Sequence, residues 1–152
     1  MHDIKKILVV SKSTKECKEA FHNGVSIAKA FGAELNILHV LYDPFGLKGD
    51  GLAIPILKDY AEELKTMMDD VKHELDAMIK AEQAEGMHIK EIIIEGDPAK
   101  IIIKTIKEEN TDLMIMAAHE EDRIEHFLFG RDDYKLVRQM PCSLMFVKVE
   151  PS

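Results

Sequence analysis

Five short apolar runs separated by four stretches of helical spacing constrain this chain more than any other feature. The runs are "IKKILVV" (4–10), "AELNILHVLY" (33–42), "MHIKEIIIE" (87–95), "TDLMIMAA" (111–118) and "PCSLMFVKV" (141–149). Each has strand length, and several are rich in β-branched residues. Between the first two, Thr14 to Phe31 sets Cys17, Ala20, Phe21, Gly24, Ile27, Ala28 and Phe31 three and four residues apart, which makes one face of a helix. Ser13 with Glu16 three positions on reads as a capping box, and Gly32 as the stop. Gly24 costs a helix interior about 1 kcal/mol against Ala, so its place there predicts a close approach to the sheet.

The next segment, "DPFGLKGDGLAIP" (43–55), is rich in Gly and Pro and reads as a loop. From Ile56 to Glu85, Tyr60, Leu64, Met67, Met68, Val71, Leu75, Met78 and Ile79 recur at helical steps, predicting one long amphipathic helix ended at Gly86. At that spacing the methionines are expected in the core rather than in a cofactor or target groove. "GDPAKIIIKTIKEEN" (96–110) predicts a turn and a short helix with Pro98 near its start. "GRDDYKLVRQM" (130–140) predicts another, with two aspartates where the helix dipole favours them. Such alternation requires right-handed crossovers and a parallel sheet with helices on both faces. The expected class is α/β, as one domain over residues 1–152.

Composition narrows the function. A chain of 152 residues can bury one good core. Its formal net charge of −8 disfavours nucleic acid and anionic membrane as partners, since both need a basic face. No run nears the roughly 18 apolar residues of a membrane span, so no membrane insertion is expected, and the opening apolar stretch is too short for a signal-peptide core. Cys17 and Cys142 stand far apart with no C-x-x-C partner, which argues against a structural disulfide or zinc site and for a reducing cytoplasm.

In a sheet of this kind, ligands bind beyond the carboxyl ends of the strands, where strand order reverses. The candidate segments are therefore "SKST" (11–14) after the first strand and the stretch 117–131 after the fourth. Along the chain stand "KKILVV" (5–10), "AFGAELNILHV" (30–40), "EGDPAKII" (95–102), "DLMIMAAH" (112–119) and "PCSLMFV" (141–147). In combination they resemble the universal stress protein family over almost the whole length. The resemblance implies a Rossmann-like, five-stranded parallel sheet of order 3-2-1-4-5, akin to the adenine nucleotide alpha hydrolases, often assembled as a homodimer. It also implies a division between ATP-binding members and members that do not bind it. Binders resemble G-x-x-G, nine residues, then G-[S/T] after the fourth strand, and an Asp-Gly-Ser-like turn after the first.

Laid on this chain, the nucleotide pocket takes Val10, Ser11, Lys12, Val40, Ala117, Glu120, Gly130 and Arg131. Ala117 and Glu120 replace the first two glycines, Gly130 keeps the third, Arg131 takes the hydroxyl position and Lys12 the aspartate position. Glycines bring backbone N–H groups close to phosphate, whereas Glu120 adds bulk and negative charge, with Glu121 and Asp122 beside it. The expectation is a universal stress protein without ATP or other cofactor, non-enzymatic, acting through unidentified protein partners. Lys12 and Glu120 are expected to pair across the pocket mouth. The alternative is an atypical member that holds ATP or another adenine nucleotide, through Lys12, Arg123, Arg131 and the helix N-terminus after Gly130.

Other chemistry finds little support. "HEEDRIEH" (119–126) combines two histidines with four acids but has no H-E-x-x-H or similar ligand spacing, so it reads as a solvated loop and no metal is expected. There is no G-x-S-x-G elbow. Cys17 on an apolar helical face and Cys142 at the start of a buried strand read as inert core thiols; His39 reads as a packing or dimer-adjacent residue. A phospho-acceptor receiver domain would need an acidic pair after the first strand, where Ser11-Lys12-Ser13 stands instead. In the implied order the last strand is an edge, and Leu144, Met145, Phe146, Val147 and Val149 would leave it apolar and open to pairing. A homodimer through residues 142–149 would cover it.

Overall fold

The computed structural model describes residues 3–11, 14–41, 54–82, 87–118 and 141–149. Within them the chain runs β1 (Lys6–Ser11), α1 (Thr14–Phe31), β2 (Glu34–Leu41), α2 (Ile54–Ala81), β3 (Ile89–Glu95), α3 (Pro98–Glu108), β4 (Leu113–Ala118) and β5 (Ser143–Lys148). The strands form one sheet of order β3-β2-β1-β4-β5, and all four pairings are parallel. The expected α/β class and strand order are both present. The expected helix at 130–140, the loop at 43–53, the cap at Ser13 and the stop at Gly86 lie outside the described residues.

Period-two alternation divides the strands between two cores. Ile7, Val9, Leu35, Ile37, Leu113 and Ile115 face α1 and α2, where they meet Cys17, Phe21, Val25, Leu75 and Met78. Leu8, Val10, Leu38, Val40, Met114 and Met116 face α3, where they meet Ile102, Ile103 and Ile106. The register keeps these sets in line, with Val9 opposite Ile37 on one side and Ile115 on the other.

α1 sits tight against its face because of Gly24. A Cβ there would lie 2.7 Å from Cγ2 of Val9 and 3.3 Å from Cδ1 of Leu35, so the close approach read from the sequence is present. The helix ends at Gly32, whose φ of +66° is costly for other residues; the Ala33 N–H then donates to the Ala28 carbonyl at 2.8 Å.

"GDPA" is explained by its geometry. The Asp97 carboxylate caps α3 by accepting from the Lys100 N–H at 3.2 Å, and Pro98 occupies the first turn, where its missing N–H costs nothing. The Gly96 N–H donates to the Leu41 carbonyl at 2.9 Å, tying the helix start to the end of β2. At the other end of the sheet, Oδ2 of Asp112 accepts from the backbone N–H groups of Lys5 and Lys6, each at 2.9 Å. That carboxylate pins the entry of β4 to the entry of β1.

Three expectations are corrected. Ile54 and Pro55, read as loop, open α2 instead; proline is tolerated in a first helical turn. Met67, expected in the core, is 44% exposed; it lies one turn before Val71, the first described residue of α2 in the α1-side cluster. Cys142 does not begin a buried strand: it is half-buried and precedes β5, an outer strand that has a neighbour on one side.

Candidate functional site

Of the eight pocket residues read from the sequence, Val10, Ser11, Val40 and Ala117 lie among the described residues; Lys12, Glu120, Gly130 and Arg131 lie outside them. All four described positions stand at the carboxyl ends of β1, β2 and β4, yet they do not share a face. Val10 and Val40 are buried in the apolar cluster beneath α3. Ala117 is half-buried against the α1 side and still belongs to the β4 ladder, where its partner is Val147.

Ser11 also points to the α1 side, and there it finds a partner that sequence reasoning missed. Its Oγ shares a hydrogen bond of 2.9 Å with Nδ1 of His39, and the two residues are only 1% and 4% exposed. The pairing follows from register, since Ser11 lies directly opposite His39. The signal was available: Ile7-x-Val9-x-Ser11 and Leu35-x-Ile37-x-His39 are the same alternation with a polar third member.

Burial pushes the His39 imidazole below its usual pKa, because the charged form would lose water, while the negative charge of Glu74 on α2 pulls it back up. Burial likewise pushes the Cys17 thiol up to about 11, opposed by a hydrogen bond with Ser11. Cys142 is also raised to about 11, by burial first, with the Asp112 charge adding to it. Both thiols are therefore protonated at neutral pH and poor nucleophiles. The Ser11–His39 pair has the chemistry of a buried, neutral, mutually satisfied hydrogen bond. Ser11 is only 1% exposed, so its hydroxyl lies buried with the imidazole.

No group of three or more metal-ligating side chains occurs among the described residues, and the segment 119–126 lies outside them. No helix among the described residues is long and apolar enough to cross a membrane. The five apolar residues assigned to the last strand are all placed: Leu144, Met145, Val147 and Val149 are half-buried, and Phe146 is 40% exposed.

These features can be set beside known proteins. The family model described as "Universal stress protein family" matches residues 3–148. A universal stress protein of Methanocaldococcus jannaschii, MJ0531, is 27% identical over 146 residues, covering 95% of this chain and 82% of that one. Against a longer relative, the universal stress protein E of Salmonella typhi, 26% identical over 151 residues, 95% of this chain matches only 45% of that one. The structure of the universal stress protein UspA from Lactobacillus plantarum superposes with a TM-score of 0.70 at 21% identity, over 99% of this chain and all of the other. A universal stress protein family protein from Arabidopsis thaliana with AMP bound gives a TM-score of 0.64 at 19% identity, over 96% and 92%. The family match covers both ends of the sheet, including the "GDPA" cap and Asp112. The chain belongs to the universal stress protein family.

Proposed function

We propose that this protein is a non-enzymatic stress-response protein that works as a homodimer through protein contacts and does not hold ATP. The observation that carries the reading is Glu120, standing where the family's ATP-binding pattern has its second glycine. A carboxylate and a phosphate charge ~4 Å apart repel by about 4 kcal/mol at an effective dielectric near 20. Micromolar affinity is worth only about 8 kcal/mol in all, so one such charge removes roughly half of it. Replacement of the first glycine by Ala117 and of the hydroxyl by Arg131 supports the same reading.

A thermal-shift measurement with ATP and Mg²⁺ tests this. A nucleotide at ~100 times its dissociation constant would stabilise the fold by about 2.7 kcal/mol. For a chain of this size that raises Tm by about 5–10 °C. No rise is expected, and one of several degrees overturns the reading. It would favour an atypical adenine-nucleotide-binding member, a reading that the AMP-bound Arabidopsis relative keeps in view.

The dimer rests on β5, an outer strand of largely apolar sequence, with Phe146 40% exposed. An open apolar edge is an invitation to pairing that a second copy can satisfy symmetrically. Sedimentation at micromolar concentration should give a dimer, and Phe146→Glu should give a monomer. An unaltered protein that sediments as a monomer removes the claim.

A further inference from the structure

α2 is the longest element, and among the described residues it is its second half that packs in the core. Val71, Leu75, Met78 and Ile79 pack in the α1-side cluster. Leu64, Met67 and Met68 continue the same stripe at helical spacing but belong to neither cluster among the described residues; Leu64 and Met68 are half-buried and Met67 is 44% exposed. Beside Met67, Asp59, Glu63, Asp70 and Glu74 fall within roughly 60° of arc at 100° per residue. All four are exposed. Among the described residues Asp59, Glu63 and Asp70 have no ion-pair partner.

Lower down, the same side of α2 already has an occupant, which is α1. There Lys15 and Lys18 line a groove of about 520 Å³ with Glu74, Met78 and Glu82. One turn further along α1, His22 Nδ1 lies 3.0 Å from a Glu82 carboxylate oxygen. A helix presenting basic side chains at i, i+3 and i+7 thus lies against the acidic side of α2. Above the start of α1 the acidic row continues without it.

We propose that residues 59–70 of α2 are a docking surface for a basic amphipathic helix of a partner protein. Its apolar face would sit on Leu64, Met67 and Met68, with its lysines or arginines along Asp59, Glu63 and Asp70. Methionine is suited to the task because its flexible, polarisable side chain adapts to different partners. Helix-on-helix recognition with basic flanks is an established mode. A second copy of α2 fits poorly, since it would set one acidic row against another, and an anionic membrane is repelled for the same reason. This inference rests on the reading that the protein acts through protein contacts.

The test uses the full chain and a fluorescent designed peptide of about 18 residues with a leucine stripe flanked by lysines. A second peptide carries glutamates in place of the lysines. The basic peptide should bind at one per chain, more weakly at about 300 mM salt than at 50 mM, and the acidic peptide should not bind. Glu63→Lys with Asp70→Lys should weaken binding by about tenfold or more, and Met67→Ala by several-fold. The equal charge change Glu19→Lys with Glu108→Lys, on α1 and α3, should leave affinity nearly unchanged. Equal binding of both peptides, equal loss in the two double variants, or no binding of the basic peptide overturns the proposal. So does self-association that Met67→Glu abolishes, which would make a second copy the occupant. A Tm rise with ATP would overturn the nucleotide reading while leaving these outcomes separate.

Discussion

Under α1 and α2 the sheet presents Ile7, Val9, Leu35, Ile37 and Ile115, and then, at its carboxyl end, the buried pair Ser11 and His39. Under α3 the same strands present Leu8, Val10, Leu38, Val40, Met114 and Met116, all apolar to the tip. One alternation therefore produces two different interiors. Thr105 of α3 is buried as well, but the contact between this helix and the sheet is governed chiefly by volume, because aliphatic side chains contribute by area removed from water and tolerate rearrangement. The α1 side adds two directional constraints: a helix held at glycine distance and a hydrogen bond that must stay satisfied. The candidate pocket straddles both, with Val10 and Val40 on the permissive side and Ser11 on the demanding one.

If that contrast is right, the largest single loss should come from the side governed by volume. Ile102 is fully buried against Leu8, Val10 and Met114. Ile102→Ala should cost about 2–5 kcal/mol, transfer and cavity terms together. Ile102→Leu should cost less than about 1.5 kcal/mol, because this side can repack. Urea denaturation with an unchanged m-value measures both. A Leu variant as unstable as the Ala variant would break the contrast.

Next in size is Gly24→Ala on the opposite side. Alanine gains about 1 kcal/mol of helix propensity, but its Cβ would lie 2.7 Å from a methyl of Val9, which is fully buried. Valine is stiff at χ1 and cannot swing aside. Overpacking costs about 1–3 kcal/mol, so the net change should be destabilising by about 1–2 kcal/mol. Restoring stability with Val9→Ala in the same chain would show that this contact, rather than the glycine backbone, is responsible.

These elements also show what the sequence made readable. α1 was legible along most of its length, because the apolar spacing, Gly24 and Gly32 all belong to one helix and agree with one another; Phe31, placed on the same face, is 61% exposed at the last turn. Strand order was legible only through the family pattern, since alternation says which face a side chain takes and not which strand lies beside it. Met67 was misread because a 3.6-residue period reports direction around the helix but not where the layer beneath it ends. Ser11 and His39 were each visible, and their pairing was not, since it depends on a register between strands separated by α1. Glu120, Gly130 and Arg131 were legible only as charge and backbone type.

A loss of similar size is expected from Ser11→Ala. It removes the hydrogen-bond partner of a buried imidazole nitrogen, which costs about 1–3 kcal/mol when unrelieved. Ser11→Thr keeps the hydroxyl but adds a methyl beside Cys17 and His39. If the directional constraint governs this side, Thr should recover part of the loss; if volume governs it, Thr should be worse than Ala.

The smallest effect is the pH dependence that the same pair imposes. His39 has its pKa lowered in the folded state, chiefly by burial and against the opposing charge of Glu74. Above the unfolded pKa near 6.5, both states carry a neutral imidazole and the contribution is fully present. As pH falls below that value the unfolded chain takes up a proton that the folded chain does not. Stability then declines by no more than about 1.4 kcal/mol per pH unit until the folded pKa is passed. His39→Gln should flatten the decline between pH 6.5 and the folded pKa. Glu74→Gln should steepen it, by removing the charge that favours the imidazolium. Because Glu74 also lines the groove between α1 and α2, a basic peptide that neutralises it should act in the same direction as Glu74→Gln. An unchanged slope in the His39 variant would mean that the pair on the α1 side titrates no differently folded than unfolded, and the contrast between the two faces would reduce to shape.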